Sequence, residues 1–164
     1  LAEGHNYFHL TGLNISEDNQ WVSFGIDTVS RRNYTIQIKN LTTGEILPTK
    51  IENTTGGATW ASDNKTLFYT AKNEATLLSE KIKRHTLGTD VATDATVYEE
   101  KDKSNYIGVG RSKNNKYIFI STDKAFLKKL LPSLRSYFSN SKFTAFFIFP
   151  SIPLFSVTTL GNSS

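Results

Sequence analysis

The sequence contains neither cysteine nor methionine among its 164 residues. Without cysteine, the chain can form no disulfide and no thiolate metal site. Proline is also scarce, and three of the four prolines lie after position 124. The chain opens with Leu1-Ala2-Glu3-Gly4, which has no signal-peptide pattern. We therefore expect this start to be a cut within a longer protein and the chain to be a fragment.

Acidic residues are missing from the last quarter of the chain. The formal net charge is +4, but residues 1–123 hold 14 basic and 15 acidic residues, a net of −1 (14 − 15). Residues 124–164 hold five basic residues and no acidic ones. The first 123 residues thus have an evenly mixed, solvated surface, and we expect no nucleic-acid partner.

What the sequence does contain is a repeat. The pattern Ile38-Lys39-x-x-Thr42-x-Gly44 returns as Ile82-Lys83-x-x-Thr86-x-Gly88, 44 residues later (88 − 44). Three short polar segments each precede an apolar run, beginning at Ser16, Ser62 and Ser112. A period of about 40–50 residues containing several short strands is typical of a β-propeller.

The fold class predicted from this repeat is all-β, a partial β-propeller of about two and a half four-stranded antiparallel blades over residues 1–123. Residues 33–39 alternate polar and apolar, as a strand with two unlike faces does. One blade cannot bury both faces of its sheet, so the chain should belong to a larger ring. The side chains expected to supply the core between blades are large and apolar: Trp21, Phe24, Ile36, Ile38, Trp60, Leu67, Tyr69 and Ile82.

The composition changes at Lys124. Residues 124–164 hold seven of the eleven Phe and only one of the ten Gly. The apolar stretch 143–157 is shorter than the roughly 20 residues that span a bilayer. Three interpretations remain open for this Phe/Ser/Pro-rich tail: a basic membrane-surface helix, a strand-rich continuation, or a shifted reading frame. Acidic residues and the blade repeat both end at this position, which favours the shifted frame. We expect no membrane partner.

Residues 1–123 resemble the N-terminal β-propeller domain of the prolyl oligopeptidase family, most closely its oligopeptidase B (protease II) branch. The match ends at Lys124. It is carried by a series of short motifs in a fixed order, which include Glu3-Gly4-His5-x-Tyr7, Ser30-Arg31-Arg32-x-Tyr34-x-Ile36, Trp60-Ala61-x-Asp63-Asn64, Arg84-His85-x-Leu87-Gly88-Thr89 and Val97-Tyr98-Glu99-Glu100-Lys101-Asp102.

The resemblance implies a seven-bladed propeller that covers an α/β-hydrolase domain with a Ser-His-Asp triad and admits only short peptides. In the oligopeptidase B branch, cleavage follows Lys or Arg. The implied partners are the missing hydrolase domain, the remaining blades and short peptide substrates. The implied compartment is the cytoplasm, with the periplasm as the alternative.

No catalytic, cofactor-binding or metal-binding residue can be assigned to this chain from the resemblance. The sequence also lacks the Gly-x-Ser-x-Gly nucleophile elbow, since Ser112 has Asn114 where the second Gly should stand. We therefore expect no cofactor, and a share of the function limited to gating and substrate access. The alternative is a stand-alone propeller scaffold that binds a protein or peptide partner.

Arg31 and Arg32 are the candidate site residues, because two adjacent guanidinium groups in a loop can pair with carboxylates across a domain interface. The alternative is a solvated loop. His5 and His9 have the spacing of metal ligands on a helix, but their surroundings indicate an extended chain. His85 is interpreted as a solvated or turn-bonding residue. The pairs Asp18-Asn19 and Asp63-Asn64 are interpreted as turn formers rather than calcium ligands.

Deletion of residues 124–164 should raise the solubility of the chain without lowering its melting temperature. A tail translated from a shifted frame would never have been selected to pack on residues 1–123. Solubility and thermal melting of the two chains would test this. If the deletion instead unfolds residues 1–123, the tail supplies the missing strands of the third blade.

Overall fold

A computed structural model describes residues 2–124, 144–147 and 156–159. These residues form antiparallel strands and one short 3-10 helix, Val91–Thr93. In this part of the chain no helix is long and apolar enough to cross a membrane. The strands are β1 His9–Ile15, β2 Trp21–Asp27, β3 Tyr34–Asn40, β4 Ile51–Trp60, β5 Thr66–Lys72, β6 Ser79–Thr86, β7 Ala95–Glu99, β8 Asn105–Arg111, β9 Ile118–Lys124, β10 Thr144–Phe147 and β11 Ser156–Thr159.

Strands β1 to β7 pair in sequence order in one antiparallel sheet. Strands β8 and β9 form a separate hairpin, and so do β10 and β11. The strands β10 and β11 lie within the predicted tail. The other tail residues, 125–143, 148–155 and 160–164, lie outside the described residues, so the interpretation of the tail stays a prediction.

The first two blades share strand β4. It pairs with β3 through Ile51 and Thr54, and with β5 through Thr54 and three residues starting at Ala58. Its first half therefore completes blade 1 (β1–β4), and its second half is the inner strand of blade 2 (β4–β7). Strands β8 and β9 begin blade 3. The predicted partial propeller is confirmed, but its first two blades are joined into one curled sheet instead of two separate ones.

The same left-handed turn follows the inner strand of each blade. Asn19, Asn64 and Asn115 have φ values of 57°, 56° and 60°. Asparagine adopts this conformation more readily than most residues, because its short amide can hydrogen-bond locally. These three residues set the blade register: 45 residues from blade 1 to blade 2 (64 − 19) and 51 from blade 2 to blade 3 (115 − 64).

This register corrects the sequence alignment by one residue. The Ser16 N–H donates to the carbonyl five residues later, and the same bond is made by Ala61 and Ser112. Ala61, not Ser62, is therefore the counterpart of Ser16. The sequence comparison aligned two serines, whereas the backbone aligns the hydrogen-bonded turn positions.

Two apolar layers hold the three blades together. The predicted core is confirmed for seven of its eight residues; the eighth, Trp21, is only partly buried and packs against the first layer. Burying a large apolar side chain stabilises a fold by about 1.5–3 kcal/mol. The layer between blades 1 and 2 contains Ile36, Ile38, Ile51, Ala58, Trp60, Leu67 and Tyr69. The layer between blades 2 and 3 contains Ala61, Phe68, Ile82, Ile107, Ile118 and Ile120.

Three glycines let the chain cross from blade 1 to blade 2. Gly56, at φ 91°, lies where β4 passes over the face of β1 and β2. A Cβ atom on Gly12 would lie 2.4 Å from the Gly56 carbonyl oxygen. A Cβ atom on Gly25 would lie 2.4 Å from the Gly56 Cα. Because real Cβ atoms do not approach a backbone so closely, only glycine fits at these two positions.

The substitution Gly25→Ala should destabilise the fold by about 1–3 kcal/mol, because the added methyl group overlaps the backbone of Gly56. Gly57→Ala is the matched control in the same strand crossing. A Cβ atom there meets nothing within 4 Å, so the substitution should be neutral or stabilising by about 0.4–1 kcal/mol. Urea unfolding of both variants measures the difference. Equal effects would show that the close approach is not a real constraint.

Candidate interface loop and inner-strand groove

The two candidate arginines lie in a structured loop, residues 28–33, between β2 and β3. The carboxylate of Asp27, which is 1% exposed, organises this loop. One of its oxygens accepts the Val29 N–H at 2.9 Å, and the other accepts the Arg32 N–H at 2.7 Å. Ser30 and Arg32 both have positive φ, at 60° and 53°. Two hydrogen bonds to one buried carboxylate thus hold a turn that non-glycine residues rarely adopt.

A lysine of blade 2 ties the loop to the rest of the structure. The Lys72 ammonium group, at the end of β5, donates a hydrogen bond to the Arg32 carbonyl. Burial lowers the pKa of Lys72, while the nearby Asp27 carboxylate raises it and Arg32 lowers it. The loop backbone is therefore held by hydrogen bonds from both blades.

The side chains of Arg31 and Arg32 are exposed and form no ion pair with any carboxylate among the described residues. Together with Lys72 they place three cationic groups at one end of the strands. A guanidinium group offers planar paired donors that match a carboxylate. Chemically, the loop can bind an acidic surface, while the interface role of these arginines stays a prediction.

The two histidines considered as metal ligands each pack against an aromatic ring. The ring of His9 packs against Tyr34, and its Nδ1 lies 3.0 Å from the tyrosine hydroxyl. Burial, with a contribution from Asp27, raises the pKa of Tyr34. His5 instead stacks on Phe8, with 6.4 Å between ring centroids. The described residues contain no group of three potential metal ligands.

A groove of about 610 Å³ lies where the inner strands of the three blades converge. It lies between blade 2 and β8, where the Thr59 hydroxyl donates to the Val109 carbonyl at 3.4 Å. The lining residues come from β1, β4, β5 and β8: Asn14, Ile15, Thr55, Gly57, Ala58, Thr59, Trp60, Thr70, Ile107, Gly108, Val109, Gly110 and Arg111.

Arg111 links all three blades at one end of the groove. Its Nη1 atom donates to the Trp60 carbonyl at 3.3 Å and lies 3.5 Å from a carboxylate oxygen of Glu17. The indole N–H of Trp60 donates in turn to the Asn14 carbonyl at 3.0 Å. Sequence analysis missed Arg111, because its partners lie about 50 residues or more away along the chain and no local pattern marks such contacts.

The interpretation of His85 as a solvated or turn-bonding residue is wrong, because its side chain is fully buried. Its Nδ1 lies 2.8 Å from one carboxylate oxygen of Asp94, and the Tyr69 hydroxyl donates to the other at 2.8 Å. Burial and the Asp94 carboxylate raise the pKa of Tyr69 well above its usual value. The three side chains fasten the loop before β7 to the core layer between blades 1 and 2.

The serine and aspartate turns behave as predicted turn formers. The Ser16 hydroxyl and the Gln20 N–H both donate to the Asp18 carboxylate, and these bonds hold the pKa of this exposed group below its usual value. The Ser112 hydroxyl donates to Asn114 within its own turn, at 2.7 Å. This serine is thus part of a β-turn, not of a nucleophile elbow.

Comparison with known proteins gives matches over most of the chain. A family model described as the N-terminal beta-propeller domain of prolyl oligopeptidase matches residues 1–131. The dipeptidyl aminopeptidase BI of Pseudoxanthomonas mexicana is 45% identical over 123 residues, which cover 75% of this chain and 17% of that relative. Protease 2 of Moraxella lacunata is 31% identical over 122 residues, or 73% of this chain and 18% of that protein.

Solved structures agree with these matches. Oligopeptidase B from Leishmania major superposes with a TM-score of 0.70 at 25% identity, covering 74% of this chain and 17% of that one. Oligopeptidase B from Trypanosoma brucei with covalently bound antipain, in its closed form, gives a TM-score of 0.75 at 18% identity. That match covers 98% of this chain and 20% of the other, and it supports the fold alone.

The substitution Asp27→Asn should destabilise the fold by about 1–3 kcal/mol, because an amide NH2 group then faces a buried N–H donor. It should also speed hydrogen exchange at the Arg32 amide. Asp90→Asn is the control. The Asp90 side chain accepts one N–H, from Ala92, at an exposed turn, and asparagine caps as well as aspartate. Unchanged exchange at Arg32 in Asp27→Asn would show that the carboxylate does not hold the loop.

Proposed function

The chain belongs to the prolyl oligopeptidase family, as part of its N-terminal β-propeller domain, and we propose that it helps to cap the catalytic domain of a serine peptidase of short peptides. The family match over residues 1–131 carries this proposal. The chain spans less than a fifth of the length of the two curated relatives described above. The activity, substrates and partners of the whole protein are therefore proposals.

In this proposal the chemistry is performed by an α/β-hydrolase domain that lies elsewhere in the parent protein. There a serine attacks the peptide carbonyl, a histidine transfers the proton, and an aspartate orients the histidine. In this proposal the described residues enclose the path of the substrate and supply no reacting group, since their one buried histidine is enclosed in the core. The likeness to oligopeptidase B supports the more specific proposal that the parent protein cleaves after Lys or Arg.

The proposed share of this chain is gating. A closed ring of blades leaves a central channel, and the inner strands β1, β4 and β8 would line part of its wall. Folded proteins are too wide for such a channel, while an extended peptide is not. The cytoplasm is the proposed compartment, with the periplasm as the alternative.

Arg31 and Arg32 are proposed to contact the catalytic domain. Three features support this: the side chains are exposed, the loop backbone is fixed by Asp27 and Lys72, and no described carboxylate pairs with the arginines. A preorganised loop loses little conformational entropy on binding. The expected partner surface therefore carries carboxylate groups that face the loop.

The test uses the complete peptidase and a Lys- or Arg-amide substrate. The complete protein should hydrolyse this substrate and lose the activity to a serine-directed inhibitor, while residues 1–164 alone should be inactive. Reversing both charges with Arg31→Glu and Arg32→Glu should lower kcat/KM by about tenfold, which corresponds to about 1.4 kcal/mol. Lys113→Glu with Lys116→Glu is the control, because both lysines are exposed and lie in the turn between β8 and β9.

Equal activity of the two double variants would remove the interface role of the arginines. A complete protein without peptidase activity, or without a Gly-x-Ser-x-Gly segment after the propeller, would favour the stand-alone scaffold instead.

A further inference from the structure

The segment between β5 and β6, residues 73–78, folds into the same turn as the segment that follows β3, residues 40–45. In each segment the side-chain oxygen of the first residue, Asn73 or Asn40, accepts the N–H groups two and three residues later. The backbone carbonyl of that asparagine accepts the N–H of the fifth residue, and its own N–H donates to the carbonyl of the sixth. One type of turn is therefore built twice.

The fifth position distinguishes the two turns. It is Gly44, at φ 76°, in the turn of residues 40–45, which we call the glycine turn, and Leu77, at φ 58°, in the turn of residues 73–78, which we call the leucine turn. A left-handed backbone suits glycine, whereas a bulky side chain there is an outlier. Strained residues of this kind cluster at functional sites. Because the glycine turn forms without a leucine, a contact outside the turn must account for the leucine.

The apolar layers of the described chain do not include Leu77 or the following residue, Leu78. Leu78 is 37% exposed, and neither leucine is among the side chains that pack between the blades. Blade 2 already has a neighbour on each face, blade 1 and the β8–β9 hairpin. Further blades of a ring would pack on sheet faces and not at strand ends. A partner that covers these leucines therefore lies beyond the ends of the strands.

The leucine turn lies beside the loop that carries the two arginines, residues 28–33. Lys72, which precedes the leucine turn, donates a hydrogen bond from its ammonium group to the Arg32 carbonyl. Each segment joins the second and third strands of its blade, so both project from the same end of the sheet. Val29, in the arginine loop, is 63% exposed. Apolar side chains and two unpaired guanidinium groups thus share one surface.

We propose that Leu77 and Leu78 anchor the propeller on the hydrolase domain, in an apolar pocket beside the carboxylates that face Arg31 and Arg32. The inference rests on the proposed function, which places the hydrolase domain against the arginine loop. The chain spans less than a fifth of the two curated relatives, so most of the parent protein is available as the partner.

The chemistry of this surface suits a folded domain. Protein–protein interfaces have an apolar centre and a polar rim, and arginine is enriched in them. The leucine turn supplies the apolar part, and the arginine loop supplies the charged part. Its own hydrogen bonds hold the leucine turn in place, so docking costs it little conformational entropy.

Hydroxyl-radical footprinting of residues 1–164 and of the complete peptidase tests the contact. Oxidation of Leu77 and Leu78 should fall severalfold in the complete protein, because the hydrolase domain covers them. Leu41, which is 43% exposed in the glycine turn at the opposite end of β3, should be oxidised equally in both proteins and serves as the internal control.

Three footprinting results would overturn the proposal. Equal oxidation of Leu77 and Leu78 in the two proteins would show that no partner covers them. Protection of Leu41 instead would place the hydrolase domain at the other end of the strands. Protection that appears only at high protein concentration would assign the surface to a second copy of the protein.

A matched pair of double variants gives the second measurement. Leu77→Asn with Leu78→Asn removes the anchor and keeps the turn, since asparagine adopts the same left-handed conformation at Asn19. In the complete peptidase this change should lower kcat/KM about tenfold, while the isolated chain should resist urea as well as before. Leu41→Asn with Ile46→Asn is the control, because both side chains are exposed near the glycine turn, and it should leave kcat/KM unchanged. Lower urea resistance of the isolated leucine variant would show that the leucines stabilise this chain itself and would contradict the proposal.

The two measurements also separate this inference from the proposed function. If the complete protein cleaves peptides but Leu77 and Leu78 are not protected and their variant keeps full kcat/KM, the anchor is absent although the proposed function stands. If the complete protein has no peptidase activity but the two leucines are protected in it, the proposed function fails and the docking surface remains.

Discussion

The passage of the chain from the outer edge of blade 1 to the inner edge of blade 2 is the contact on which the other features depend. Gly56 crosses the face of the first blade at a distance that no side chain on Gly12 or Gly25 could tolerate. This crossing sets the position of the second half of β4. Trp60, at the end of that strand, then reaches Asn14 with its indole N–H and offers its carbonyl to Arg111. The inner strands of all three blades are thereby placed relative to one another.

The candidate interface loop depends on strand β2, which also carries Gly25. Asp27 follows Gly25 by two residues on β2 and lies on the same buried face, since side chains alternate along a strand. The inward-facing position would normally exclude a carboxylate, because burial of an unpaired charge is costly. Here two backbone N–H groups of the following loop satisfy it. The buried carboxylate is therefore tolerated because these N–H groups pair with it. The same two bonds link the core of blade 1 to the shape of the exposed loop.

The sequence contained enough information to predict the fold and little of the site. Period-two alternation and turn residues such as Gly44 and Asn64 are local, and they identified the blades and seven of eight expected core residues. The error of one residue between Ser62 and Ala61 arose because identical residue types were aligned in place of hydrogen-bonded positions. The contacts of Arg111 join residues about 50 positions apart or more, and the burial of His85 depends on Asp94 in a later loop. No local pattern encodes contacts of this kind.

The equivalence of the blades also shows where this chain departs from a simple repeat. If each blade interface were built alike, the position of Thr70 would be glycine, as Gly25 is. Instead, Thr70 is buried at this position, and Ile107 packs with Ile82 and Ile120 between blades 2 and 3. Apolar packing through Ile82 and Ile120 joins blades 2 and 3, where a close backbone contact joins blades 1 and 2. The repeat thus supplies the scaffold, and the residues at each interface decide whether backbone contact or apolar packing joins the blades.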